Sequence, residues 1–149
     1  MHMHALRPDP TPDARCTCLL LRRAARRVSQ RYDEHLRPAG LKTTQFSLLA
    51  QLRHADGLAI GELAERMSMD RTTLTRNLGP LVSAGWVAQR PDAADRRRMR
   101  LALTDDGRRT LREAAPRWRE AQRALREQLG AARVGALHAA IDATLEHLG

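Results

Sequence analysis

The order of apolar and polar positions along the chain predicts a series of amphipathic helices interrupted by one pair of short strands. The first helix carries an apolar stripe at helical spacing and should end near Pro38. A second helix should begin at Thr43 or Thr44 and end around residues 54–57. The stripe of the first helix consists of Leu21, Ala25, Val28, Tyr32 and Leu36.

In the middle of the chain the pattern changes to two short helices joined by a tight polar turn. Residues 60–67 form the first helix, residues 68–70 the turn and residues 71–82 the second helix. Ser68 or Asp70 can cap the second helix, because either side chain can accept an unpaired backbone N–H. The inward stripe of the second helix consists of Leu74, Leu78, Leu81 and Val82.

The second of these helices contains a glycine and a proline near its end. A proline inside a regular helix costs about 3 kcal/mol or more. We therefore expect a bend or an early loosening of the helix at Gly79–Pro80.

Two extended stretches follow Gly85, at residues 86–90 and 99–104, and a basic loop joins them. A long helix should then open near Asp105 and bend at Pro116. A short break near Gly130 precedes a last helix with an apolar stripe. The order of helix, turn, helix and hairpin is that of a winged helix-turn-helix, which places its second helix in a nucleic-acid groove.

The exposed positions at the start of the second helix have side chains suited to reading base edges. Arginine can bond guanine through two donors, and threonine offers a hydroxyl and a methyl that suits thymine. A solvated polar helix face is the alternative interpretation of this segment. The candidate DNA-contacting residues around this helix start are Ser68, Arg71, Thr72, Thr73, Thr75 and Arg76.

The loop between the strands gathers Arg96, Arg97 and Arg98, with Arg100 just beyond. Like charges repel, so such a group favours an anionic partner, and a narrow minor groove attracts inserted arginine. Asp95 can pair with a neighbouring arginine and orient its guanidinium. An exposed hairpin with a charge run is the alternative, and it is less favoured directly after a helix-turn-helix.

The charge distribution agrees with a polyanionic partner at the same place. The chain has a formal net charge of +9. Residues 71–100 contain seven arginines and two aspartates, a net charge of +5, whereas residues 111–149 contain six arginines and five acids, a net charge of +1. Nearly all basic residues are arginine, and this bias is also typical of a GC-rich genome.

These residues resemble the winged-helix core of the MarR family of bacterial and archaeal transcription regulators. The resemblance implies a homodimer on a pseudopalindromic operator, with Arg97 inserted into the minor groove and supported by Asp95. It extends from about Cys16 to the C-terminus. The motifs that carry it are Asp70–Arg76, then Leu81, Gly85 and Val87, then Asp95–Arg97 and Leu101–Thr104.

The predicted fold is mainly α with a small β-wing, a winged helix-turn-helix core with N- and C-terminal dimerisation helices. One compact domain should contain a DNA-binding region at residues 41–110 and a helical dimerisation region at residues 15–40 and 111–149, after a flexible tail at residues 1–14. The terminal helices carry more apolar surface than one small core can bury, which favours a homodimer.

The two cysteines, Cys16 and Cys18, leave three interpretations open. They are buried packing residues, or metal ligands, or a redox switch favoured by the helix N-terminus and nearby arginines. Two thiolates lack the four ligands of a structural zinc site, so no metal or other cofactor is expected. The spacing from Cys18 to Tyr32 resembles that of the organic-hydroperoxide-sensing branch, but Arg22 replaces a second tyrosine of that branch.

The resemblance otherwise implies a small phenolic or carboxylate ligand, often aromatic. Candidate lining residues are Arg22, Tyr32, His54 and Trp118. We expect a cytoplasmic repressor released from double-stranded DNA by such a ligand or by oxidation. No apolar run approaches the length of a membrane helix, and no membrane partner is expected.

Two other classes of function fit the sequence less well. The chain has no glycine-rich phosphate loop, no His-Glu-x-x-His and no Gly-x-Ser-x-Gly, so an enzyme is not predicted. A non-specific nucleoid-associated protein that coats DNA remains the alternative, given the charge. Base-reading side chains at the front of the second helix favour the specific regulator over it.

Overall fold

The computed structural model describes residues 16–54 and 57–149 of the chain. These residues form a mostly helical fold with one small antiparallel sheet, as the sequence predicts. The predicted tail at residues 1–14 lies outside the described residues. In chain order the elements are α1 (Thr17–Leu36), a 3-10 turn (Arg37–Ala39), α2 (Thr43–Gln51), β1 (Leu58–Ala59), α3 (Ile60–Arg66), α4 (Arg71–Ser83), β2 (Val87–Pro91), β3 (Met99–Leu103), α5 (Asp105–Leu129) and α6 (Ala131–Leu148).

The first helix ends where its sequence predicts. A side chain of this helix accepts a hydrogen bond from the first residue of the second helix. The 3-10 turn that follows α1 closes at Gly40, whose φ of 75° suits glycine. The backbone N–H of Thr43 then donates to Asp33 Oδ1 at 2.7 Å. Because this bond satisfies an N–H that the helix leaves unpaired, it fixes α2 against the end of α1.

The core is built almost wholly from leucine, in keeping with an aromatic content of 3%. It lies where α2, α3 and α4 meet the sheet and the first half of α5. One aromatic pair extends it, since Phe46 and Trp118 stack with ring centroids 5.7 Å apart. The largest side chains that are buried almost completely are Leu36, Leu48, Leu49, Leu52, Leu63, Leu74, Leu78, Leu81 and Leu101.

The sheet contains a strand that the hydrophobic pattern does not reveal. Its order is β1-β3-β2, with both pairs antiparallel. Leu58 in β1 lies opposite Leu101, and a Cβ on the preceding Gly57 would lie 2.0 Å from the Leu101 carbonyl oxygen. This close approach anchors the short strand beside β3 and requires glycine at position 57.

The prediction that α4 loosens early at Gly79–Pro80 is wrong. The helix continues to Ser83, and the N–H of Ala84 still bonds the Pro80 carbonyl oxygen at 2.9 Å. Leu78 and Leu81 on either side of the proline are almost completely buried, while Pro80 itself is exposed. Packing of these leucines offsets the helical hydrogen bond that Pro80 cannot donate, and the proline ring lies on the solvent side of α4.

The start of helix α5 is hydrogen-bonded to the residues that follow α4. The Thr104 hydroxyl caps α5 by accepting from the Gly107 N–H at 3.0 Å, and the Thr104 N–H donates to the Trp86 carbonyl oxygen at 3.0 Å. A Cβ on Gly107 would lie 2.1 Å from that same oxygen. The helix runs through Pro116 and ends at Gly130, where the predicted break occurs before α6.

Candidate nucleic-acid interface

A tight turn places the start of α4 relative to α3. Ser68 adopts a left-handed φ of 51°, and the N–H of Met69 bonds the Ala64 carbonyl oxygen at 2.9 Å. Asp70, one of the two predicted caps, accepts the N–H of Thr73 at 2.7 Å. The backbone hydrogen bond from Thr73 holds the pKa of the Asp70 carboxyl below its usual value, so the cap is ionised at neutral pH.

Helix α4 separates its apolar and polar positions as the sequence predicts, except at Val82, for which the predicted inward position is wrong. Leu74, Leu78 and Leu81 point into the core, while Val82 is exposed at the helix end. Of the predicted contact residues on this helix, four are exposed and Thr73 is half-buried. The four exposed side chains are Arg71, Thr72, Thr75 and Arg76.

Sequence reasoning missed one polar residue of α4, Asn77. Its half-buried side chain donates to the Thr73 carbonyl oxygen at 2.9 Å, and its Nδ2 lies 3.9 Å from Met69 Sδ. The residue therefore connects α4 to the turn before it. Its position between the apolar stripe and the exposed face was the available signal.

The loop between β2 and β3 is closed by its own hydrogen bonds. The N–H of Asp92 donates to the Arg98 carbonyl oxygen at 2.9 Å, and the Asp92 carboxylate pairs with Arg100 at 3.4 Å. Asp95 Oδ1 accepts the backbone N–H of Arg97 at 3.1 Å. Among the residues that the structure describes, the ion pairs do not include the predicted pair of Asp95 with an arginine side chain, and the contact of Asp95 is with the loop backbone beside Arg97.

A cleft of about 510 Å³, here called the wing cleft, separates α4 from the tip of the hairpin. It brings together arginines predicted from two distant parts of the sequence, Arg71 on α4 and Arg97 and Arg98 on the loop. Thr75 also lines it. Four of the predicted contact residues, two from the helix and two from the loop, thus line one cleft. The remaining lining residues are Ala59, Ile60, Gly61, Glu62, Glu65 and Met99.

A second and larger cleft, of about 700 Å³, lies among α1, α5 and α6 and is here called the helix cleft. Of the six residues predicted for ligand or redox sensing, Tyr32 alone lines it. Burial raises the pKa of the Tyr32 phenol, which therefore stays protonated. Trp118 instead stacks on Phe46, and Arg22 and His54 are exposed elsewhere.

The cysteines lie at the first turn of α1. Cys16 Sγ accepts the N–H of Leu19 at 3.5 Å as the helix cap, whereas Cys18 is exposed. Fourteen residues of helix separate Cys18 from Tyr32, about 21 Å at 1.5 Å per residue. The two side chains cannot touch within one chain.

Neither a metal site nor a membrane span was found in residues 16–54 and 57–149. No group of three or more His, Cys, Asp or Glu side chains is placed to hold a metal ion there. No helix among these residues is both long and apolar enough to cross a bilayer.

The fold and this surface together define a winged helix-turn-helix protein. A family model described as the MarR family matches residues 39–98. The multiple antibiotic resistance protein MarR of Salmonella typhimurium is 34% identical over 84 residues, which are 54% of this chain and 58% of that protein. The alignment thus spans less than two thirds of the length of this relative.

Solved structures extend the likeness to most of the chain. The Mycobacterium tuberculosis transcriptional regulator MosR, in complex with DNA, is 39% identical with a TM-score of 0.72, covering 87% of this chain and 98% of that one. A mutant MarR from Escherichia coli, complexed with operator DNA, is 27% identical with a TM-score of 0.77, covering 86% and 92%. The chain belongs to the MarR family of transcription regulators.

Proposed function

We propose that the protein is a sequence-specific DNA-binding repressor that acts as a homodimer on a pseudopalindromic operator. One observation carries the proposal: the wing cleft is lined by exposed side chains from both parts, Arg71 and Thr75 of α4 and Arg97 and Arg98 of the wing. A helix entering the major groove from this surface would bring Arg97 to the adjacent minor groove. Both grooves of one duplex would then be read together.

The face of α6 supports the homodimer. In one protomer its apolar side chains remain in solvent, with Leu145 57% and Leu148 79% exposed. Leu20 and Leu21 on α1 are also about half exposed. An exposed apolar surface of this kind marks an interface, and pairing of two identical copies buries it on both. Two DNA-binding regions joined in this way would contact two half-sites about one helical turn apart.

The helix cleft supports release by a small anionic ligand. Its floor is apolar, with Ala25 and Val28, while Arg119, Arg123 and Arg126 lie along its α5 side. An aromatic carboxylate or phenol would place its ring on the floor and its charge beside an arginine. Titration with benzoates followed by thermal shift tests this, with Arg123→Ala expected to lose the response and the exposed Arg112→Ala to keep it.

Exposure of Cys18 favours a second candidate signal, oxidation of its thiol by a hydroperoxide. Oxidation at this helix end would act on the same terminal helices that we propose for the dimer.

The decisive experiment compares operator DNA with random DNA. A footprint on DNA upstream of the protein's own gene locates the operator, and competition binding at two salt concentrations then gives both affinities. A specific regulator binds the operator about a thousandfold or more tighter than random duplex. Equal affinities, with equal salt dependence, would identify a nucleoid-coating protein instead.

A further inference from the structure

Arg71, the first residue of α4, lies against the neighbouring helix. Its Nη2 atom is 3.4 Å from the position that a Cβ on Gly61 would occupy, in the first turn of α3. The missing side chain of Gly61 leaves room for the guanidinium at this point. The arginine thus rests in the wing cleft, at the edge of the surface proposed for DNA.

Two carboxylates share this cleft with Arg71. Gly61 and Glu65 are four residues apart and so lie on the same face of α3, and Glu62 is the next residue along. Both glutamates line the wing cleft and are exposed. Among the described residues, the ion pairs within 4.0 Å join other groups. The two carboxylates are therefore neighbours of the guanidinium in the cleft and make no fixed contact with it.

We propose that Glu62 and Glu65 are positioning residues for Arg71 and thereby determine DNA specificity. This inference rests on the proposed function. A guanidinium has five donors, so one edge can stay with the carboxylates while the other bonds a guanine. Attraction to the carboxylates would keep the guanidinium in the cleft, where it faces a base edge and contributes little to phosphate binding.

Removing the carboxylates releases Arg71 to any nearby phosphate. The DNA strand that separates the two grooves would pass over the wing cleft, so phosphates are within reach on every sequence. The released arginine then strengthens binding to random DNA. On the operator, the released Arg71 side chain must be ordered again at the base edge, which costs free energy. Operator affinity therefore rises less than random-DNA affinity, or it falls.

The test is the double variant Glu62→Gln/Glu65→Gln, made both in the native chain and in Arg71→Ala. With Arg71 present, the ratio of operator to random affinity should fall about fivefold or more. The base preference should relax at one position in each half-site. In the Arg71→Ala background the same two substitutions should change both affinities by one common factor.

Glu113→Gln/Glu120→Gln on the exposed side of α5 is the matched control, since it changes the net charge equally outside the cleft. It should leave the ratio unchanged. An unchanged ratio in Glu62→Gln/Glu65→Gln, or an equal fall without Arg71, would overturn the inference. If the native protein itself failed to discriminate operator from random DNA, the proposed function would fail instead.

Discussion

The Thr104 hydroxyl donates a 2.6 Å hydrogen bond to the Gly85 carbonyl oxygen, and so joins the start of α5 to the turn after α4. The same oxygen of Thr104 accepts the N–H of Gly107. One side chain therefore connects the helix proposed to read DNA with the long helix that leads to α6. Thr104 thus links the start of α5 to the element that carries the surface proposed for DNA.

Replacing Thr104 by valine removes both hydrogen bonds with little change in shape. The loss of a helix cap should lower the free energy of unfolding by about 1–2 kcal/mol, measured by urea denaturation. Thr104→Ser keeps the hydroxyl and should be close to native. Thr144→Val, which removes a hydroxyl bond to the Ala140 carbonyl oxygen inside α6, should have a much smaller effect; equal losses in the two valine variants would argue against the joint.

Arg97→Ala should weaken operator binding by about 1–3 kcal/mol, because one minor-groove contact is lost. The loss should be largest on operators with A·T-rich flanks, where the groove is narrow. Arg71→Ala or Arg76→Ala should instead relax base preference at one position in each half-site. Competition binding distinguishes the two patterns, with Arg109→Ala on α5 as control. Equal weakening on operator and random DNA in all three variants would contradict specific reading.

Ile141→Asp should break the proposed dimer, because a charge replaces an apolar side chain on the exposed face of α6. Sedimentation should show a folded monomer, and operator affinity should collapse although every proposed DNA contact remains. Ala143→Asp lies about 200° around the helix and is the control. A dimeric Ile141→Asp protein with native operator affinity would refute this interface. Deletion of the chain after Gly130 should likewise give a monomer or an insoluble protein.

The cap at Asp70 predicts a specific loss of stability in acid. Its pKa in the folded protein lies below the ordinary value of 3.8, so its contribution is complete above 3.8 and is lost as the pH falls through the lower folded pKa. Asp70→Asn keeps a capping acceptor that does not titrate. Urea denaturation at pH 7 and pH 3 should therefore show a smaller loss for the variant than for the native protein. Identical losses would show that the carboxylate does not support α4.

If Cys18 senses oxidant, mild hydroperoxide should release the protein from operator DNA, and a thiol reductant should restore binding. Cys18→Ser should bind normally and ignore the oxidant. Cys16 lies two residues away and caps the helix, so a disulfide formed by Cys18 should join two subunits and appear on non-reducing gels. Unchanged DNA binding by the oxidised native protein would leave the anionic ligand as the signal.

The helices and the hairpin were predictable because their apolar positions repeat over several turns or alternations. The strand of Leu58 and Ala59 was not, since two residues carry no period and their pairing with β3 depends on residues forty positions away. The predicted loosening of α4 at Pro80 was wrong because it, too, considered only local residues. The local cost of the proline is real, but burial of Leu78 and Leu81, fixed by the whole core, decides the outcome.

The sequence indicated the residue types of the surface proposed for DNA, but not which of these residues lie together. Sequence motifs marked Arg71 and Arg97, yet nothing in their spacing indicates that both share a cleft with Glu65. Of the residues predicted for ligand or redox sensing, Tyr32 alone lines the helix cleft. Trp118 packs on Phe46, and the arginines that line the helix cleft come from α5, whose position beside α1 is set by tertiary packing.

The last helix begins without a side-chain cap, and after Val134 every residue of it is exposed in one protomer. Most of the stability of a helix comes from packing rather than from its own sequence. In the proposed dimer, association of the chains would therefore supply the packing that α6 lacks in one protomer. At low expression, the concentration of the dimer would then rise with the square of the chain concentration. A small change in synthesis would therefore cause a larger change in the amount of DNA-binding dimer.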